Sequence, residues 1–116
     1  MKLLSVLLIV LSSSVFANDI QKTCEEDAKL VAAATTARVL GFDKIQARKN
    51  IDKVLAGRNI NKTPLVFHPD VFVDLVWGLK LDYKNKEPIL LGMLIGEVSA
   101  TYRMNCIYSN QELSTE

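Results

Sequence analysis

Histidine is nearly absent from this sequence: His68 is the only one, and cysteine occurs just twice, at Cys24 and Cys106. A zinc site needs several nitrogen or sulfur ligands, which one histidine cannot supply. If the two cysteines pair, no thiol is left for a Cys–His nucleophile. There is no G-x-S-x-G elbow, no H-E-x-x-H pair and no glycine-rich phosphate loop. Asp70 and Asp74 stand one helical turn apart and could act as a carboxylate pair, but acids at that spacing are more often simply exposed. The expectation is a non-enzymatic protein with no catalytic, cofactor-binding or metal-binding residues.

A long apolar run is also missing. Residues 3–11 are apolar apart from Ser5, about half of the roughly 20 residues that span a bilayer. Lys2 precedes this run; three serines follow it, then Val15, Phe16 and Ala17. That three-part pattern is a secretory signal peptide, with small or β-branched residues where a signal peptidase reads. The expected organisation is a cleaved signal over residues 1–17, a domain over 18–108 and a flexible tail over 109–116. A lipoprotein would need cysteine directly after the cleavage site, and Asn18 stands there. The chain is thus expected in the periplasm or outside the cell, without stable membrane insertion after cleavage. In such an oxidising compartment a Cys24–Cys106 disulfide is the leading expectation.

Excess charge is lacking as well. Without Lys2, basic and acidic residues balance at 13 each, so nothing calls for nucleic acid or an anionic membrane as partner. The distribution is uneven, however. Lys44, Arg48, Lys49, Lys53, Arg58 and Lys62 face only Asp43 and Asp52, giving residues 43–62 a charge of about +4. This reads as a solvated helix face, with a docking surface for an acidic protein as the sharper alternative. Asn61, Lys62 and Thr63 form a glycosylation-type triplet, a weak match because Pro64 follows.

What is present is helical periodicity. Residues 19–40 read as a first helix, with Cys24, Ala28, Val31, Thr35 and Val39 on one stripe and Thr23 with Glu26 as a capping box. Ala32, Ala33, Ala34 and Ala37 keep its second half thin enough for close approach by a neighbour, and Gly41 ends it. Asp43 is an N-cap for a second helix, with Gln46 in the capping-box place, Ile45, Ile51, Val54 and Leu55 as its apolar face and Gly57 as its end. Pro69 opens a third helix with Phe72, Leu75, Val76 and Leu79 on one face, widened by Val73 and Trp77. A polar turn over 82–87 leads to Pro88 and a fourth helix reaching Ile107. Leu91, Leu94, Ile95, Val98, Tyr102 and Cys106 turn toward its core side. Gly92, Gly96 and Ala100 form a small-residue stripe, read as a close contact with the Ala-rich first helix; in a membrane helix the same stripe would mark dimerisation.

Short connections make sequential helices antiparallel neighbours, so the expected fold is all-α, a small up-down-up-down four-helix bundle. In that topology the start of the first helix and the end of the fourth lie together, where Cys24 and Cys106 sit. Closing a loop of about 80 residues would constrain the unfolded chain by roughly 4–5 kcal/mol.

The connection over 58–68 is long for a bundle. Leu65, Val66 and Phe67 read as capping the open end of the core. As a recognition loop, the segment offers Arg58, Ile60, Lys62, Phe67 and His68 as partner-binding residues.

The signal peptide, the short helical domain, the early and late cysteines and the ending at 102–108 (Tyr102, Arg103, Met104, Asn105, Cys106, Ile107, Tyr108) form a recognisable layout. It resembles small periplasmic immunity proteins that neutralise peptidoglycan-cleaving amidase effectors of type VI secretion systems. The resemblance is one of architecture and implies no particular functional residue. It implies a domain that binds another protein, in this case a secreted effector; the chain itself is expected as a monomer or homodimer. The rival expectations are a periplasmic chaperone, stress or structural factor, a small apolar-ligand binder, and a hydrolase using Asp70 and Asp74.

Overall fold

The protein's computed structural model describes the backbone of residues 2–57 and 68–115 and the side chains of residues 20–57 and 68–110. Among the described residues there are four helices and no strand: α1 Lys2–Val39, α2 Lys44–Ala56, α3 Pro69–Gly78 and α4 Pro88–Thr115. The fold is the expected all-α bundle.

Local chemistry sets the helix ends. The Asp43 carboxylate accepts from the Gln46 backbone N–H at 2.9 Å and so caps α2. Gln46 does not complete the capping box; its side chain donates to Asn50 Oδ1 instead. Pro69 takes the first position of α3, where its missing N–H costs nothing. At Gly41, φ is +85°, and the N–H groups of Phe42 and Gly41 donate to the carbonyls of Ala37 and Arg38. That pair of bonds is a Schellman closure, which requires the left-handed backbone that glycine adopts freely. Thr23 caps nothing. It lies well inside α1, and an N-cap acts only where the chain enters a helix from an extended residue. α4 also continues past Ile107, to Thr115.

Cross-links between helices give the topology. Going down α1 from Ala28 to Glu25 to Cys24, the partners on α4 climb. The Ser99 hydroxyl donates to the Ala28 carbonyl at 3.0 Å, Arg103 pairs with Glu25 at 3.6 Å, and Cys106 bonds to Cys24. α4 therefore runs antiparallel to α1. Lys44 meets Asp74 at 3.6 Å and Arg48 meets Asp70 at 2.7 Å, so α3 runs antiparallel to α2. The result is up-down-up-down. The disulfide joins α1 to α4 with Cα atoms 5.7 Å apart, as expected.

α1 is the central helix and touches all three others. Its predicted stripe, Cys24, Ala28, Val31, Thr35 and Val39, is buried throughout, together with Leu30, Ala34 and Ala37. Ile51 and Ala47 of α2 and Phe72, Val73 and Val76 of α3 complete the core. Thr35 is buried without penalty because its hydroxyl donates to the Val31 carbonyl one turn back, at 2.7 Å. Trp77 packs against this core from a half-buried position.

Three expectations about faces fail, each for a reason of geometry. Ile45 was assigned to the apolar face of α2 but is 67% exposed. The covered side runs through Ala47, Ile51 and Val54, and a residue two positions from Ala47 lies about 200° around the helix. Leu75 was assigned to the core and is 41% exposed, because α3 faces α1 and α2 while α4 stands off. The small-residue stripe does not press on α1. Gly92, Gly96 and Ala100 are exposed, and a Cβ built at either glycine would meet nothing within 4 Å. Leu91, Leu94, Ile95, Val98 and Tyr102 occupy the inward side of α4, which turns the stripe outward.

Candidate functional site

The sequence-predicted site residues fall in three places. Arg58, Ile60, Lys62 and Phe67 lie outside the described residues. His68 is the N-cap of α3: its Nδ1 accepts from the Asp70 backbone N–H at 3.2 Å and lies 3.4 Å from Asp70 Oδ2. Its position is explained by starting a helix.

Asp70 and Asp74 do not form a carboxylate dyad. Each faces a different cation of α2, Asp70 bonding Arg48 and Asp74 reaching Lys44. The Arg48 guanidinium is held above its usual pKa by its hydrogen bond to Asp70 and then by that to Asp52. Half of the basic character seen between Lys44 and Lys53 is therefore used within the fold, while Lys49 and Lys53 remain exposed. Among the described residues no three His, Cys, Asp or Glu side chains converge to hold a metal ion.

Arg38 also acts inside the fold. It reaches from α1 to the open end of α3, where Nη1 donates to the carbonyls of Val76 and Leu79, the latter at 2.7 Å. The Val76 carbonyl also accepts from the Leu79 N–H at 3.2 Å, and both carbonyls lie at the C-terminal end of α3, where a guanidinium at the negative end of a helix is favourably placed. The cation lies 5.5 Å from the centre of the Tyr83 ring, tying the polar turn to the same point.

The most site-like feature is a groove between α3 and α4, floored by Val31 of α1. Leu75, Leu79 and Leu81 form one wall, Leu94, Val98 and Tyr102 the other, and Lys80, Glu97, Thr101 and Asn105 are the polar lining residues. Its volume is about 350 Å³. This mixture of apolar walls and a few polar groups is the usual make-up of a binding cleft.

Tyr102 is the central side chain of the groove. Its ring meets Phe72 edge-on, with centroids 6.2 Å apart and planes at 70°, an arrangement that favours one orientation of the phenol. Burial, and secondarily the negative charge of Asp27, push its pKa up to about 12. The hydroxyl stays protonated at physiological pH and can both donate and accept a hydrogen bond. Asp27, itself 4% exposed, is a buried carboxyl one turn before Val31 on α1.

Sequence reasoning missed this groove although it named most of its walls. Leu75, Leu79, Leu94, Val98 and Tyr102 were all assigned to core faces. Periodicity reports which side of a helix is apolar; it does not report whether two such sides meet or leave a gap.

The groove and the clamp define the class: a disulfide-tied all-α bundle with an open apolar cleft. No family model matches the chain, and neither a curated protein nor a solved structure matches it. Among the described residues no helix is long and apolar enough to cross a membrane.

Proposed function

We propose that the protein is a non-enzymatic binding module of the bacterial periplasm that acts by holding another protein. The observation that carries this reading is the α3–α4 groove, where Leu75 stays 41% exposed on an apolar wall beside polar lining residues. Exposed apolar surface ringed by polar groups is the ordinary composition of a protein-recognition patch. The Cys24–Cys106 bond supports an oxidising compartment. The signal-like residues 1–17 supply the export route, and N-terminal sequencing of the exported protein is expected to begin at Asn18.

The sharper form of the reading is an inhibitor of a secreted effector, as the immunity-protein layout implies. Co-expression with amidase effectors encoded next to it is expected to protect the cell and to yield a stoichiometric complex. Leu75→Arg places a charge in the groove without touching the buried core, and should remove both protection and co-purification. Protection that survives Leu75→Arg, or no complex with any neighbouring effector, would overturn the reading.

A second reading rests on the size of the same groove. A cleft of about 350 Å³ with apolar walls also fits a small apolar ligand. Native mass spectrometry of the exported protein distinguishes the two, since a retained ligand adds a discrete mass and a protein partner does not survive purification unnoticed.

A further inference from the structure

Helices α3 and α4 both pack on α1, yet beyond the edge contact of Phe72 with Tyr102 they are not packed on each other. The groove is the gap this leaves, and its chemistry narrows what can fill it. Because α3 runs antiparallel to α4, Lys80 and Glu97 lie toward one end, on opposite walls, and Tyr102 and Asn105 toward the other. Lys80 and Glu97 are exposed, and neither belongs to an ion pair among the described residues.

Three kinds of occupant match such a trough in outline, and two of them fit it badly. An extended segment needs partners for its own N–H and C=O groups. Among the described residues no strand offers a sheet edge, and walls of Leu75, Leu79, Leu94 and Val98 offer no polar groups. A fatty acid would seek Lys80, the one cation lining the groove among the described residues, and meet the like charge of Glu97 at the same end. An α-helix satisfies its own backbone and presents side chains alone.

The dimensions suit a helix too. From Leu94 to Asn105 the α4 wall covers about 16 Å, or three helical turns. At roughly 30 Å³ for each water-sized group, about 350 Å³ takes about a dozen heavy atoms, the side chains of about three leucines. A three-turn amphipathic helix presents that many on one face, at i, i+4 and i+7. An acid on one flank and a base on the other would meet Lys80 and Glu97 together in only one direction of the helix.

We propose that the groove takes an amphipathic α-helix of the partner protein, laid between α3 and α4 with its apolar stripe over Val31, an acidic residue beside Lys80 and a basic residue beside Glu97. This rests on the reading of the groove as a protein-holding surface, and names the element that fills it.

The probe is a fluorescent peptide of about 14 residues with leucine at i, i+4 and i+7, glutamate on one flank and lysine on the other. Anisotropy at low salt, with the disulfide intact, is expected to show saturable binding. A proline at the centre of the peptide should weaken it about tenfold or more by breaking the helix, as should Leu75→Arg in the protein, with its helix content unchanged. Glu97→Lys should shift preference about tenfold toward a peptide with glutamate on both flanks, and Lys80→Glu toward one with lysine on both. Dodecanoate should not displace the peptide. No binding up to millimolar peptide overturns the proposal, as does equal binding of the intact and proline-broken peptides, displacement by dodecanoate, or a flank preference that neither charge reversal moves. An effector captured through Leu75, with no helical peptide bound, overturns only the helical occupant; peptide binding with no effector captured overturns only the inhibitor reading.

Discussion

Helices α2 and α4 flank the same central helix but are held to it differently. α2 contributes fully buried Ala47 and Ile51, and α3 closes the other side of the contact through Phe72, Val73 and Val76. α4 contributes no fully buried side chain among its described residues; Leu91, Leu94, Ile95, Val98 and Tyr102 are all half-buried. The difference lies in the number of neighbours. α2 meets both α1 and α3, whereas α4 meets α1 alone, with Phe72 and Tyr102 as a bridge across the gap to α3. A helix with one neighbour keeps its far side wet, and the attachment then depends on fewer and stronger ties. Here those ties are the disulfide and the Ser99–Ala28 hydrogen bond, to which the exposed Arg103–Glu25 pair adds little.

The largest test of that contrast is removal of the clamp. Cys24→Ser with Cys106→Ser opens a loop whose ends are separated by 82 residues, and should cost about 4–5 kcal/mol in the loop-entropy account. Hydrogen exchange measured helix by helix should rise first in α4, with α1 from Leu30 onward, α2 and α3 protected longer. If α2 and α3 lose protection together with α4, the two flanks are one cooperative unit and the contrast is broken.

Core truncations sharpen it at the next level. Ile51→Ala removes a fully buried side chain between α1 and α2, and should destabilise by about 2–5 kcal/mol, because the surroundings cannot collapse onto the hole. Val98→Ala, on half-buried α4, should cost clearly less, about 1 kcal/mol, in proportion to the smaller apolar area removed from water. Chemical denaturation of both variants measures the ratio. Equal losses would mean that α4 is packed as tightly as α2.

The parts of this architecture that local chemistry decides were readable in advance. Asp43 caps α2 and Pro69 opens α3 because those residues act on their own backbone. Cys24 and Cys106 meet because antiparallel topology brings the two ends together. The stripe of Cys24, Ala28, Val31, Thr35 and Val39 was buried throughout because α1 is covered on several sides by α2, α3 and α4. Prediction failed where a side chain's fate depends on which neighbour arrives. Ile45 and Leu75 look like core residues and are exposed, and Arg38, which closes α3, carries no signal in the sequence that singles it out. The glycine stripe is the clearest instance. A helix with two apolar sides gives the same periodicity whichever side faces inward, so Gly92 and Gly96 could not be placed from sequence. The groove was hidden for a related reason, since it is made of residues from three helices and of the distance between two of them.

The ionic ladder between α2 and α3 should matter far less than either the clamp or the core. Arg48→Ala removes exposed pairs with Asp52 and Asp70, and should cost about 0.2–1 kcal/mol, fading as salt screens it. Thermal denaturation at low and high ionic strength reads this directly. A loss of several kcal/mol would show that α2 and α3 are joined by charge more than by Ile51, Phe72 and Val76.

The smallest effect at neutral pH is expected at the bridge across the gap. Tyr102 has its pKa raised from 10.0 to about 12, first by burial and then by Asp27. Between those values the unfolded chain releases the phenol proton and the folded chain keeps it, so the unfolded state binds fewer protons. Stability must then fall as pH rises. The contribution is intact below the unfolded value and is lost on passing through the folded one. Tyr102→Phe keeps the ring against Phe72 and has no proton to lose. It should match the parent protein near neutrality and unfold at higher pH, with its alkaline stability curve flattened relative to the parent. Phenolate absorbance followed alongside helix content checks the assignment, because Tyr102 should ionise late and together with the loosening of α4. Should Tyr102 ionise early with α4 still in place, the gap between α3 and α4 would be open to water on the Tyr102 side, and α4 would be attached by its clamp and its contacts with α1 alone.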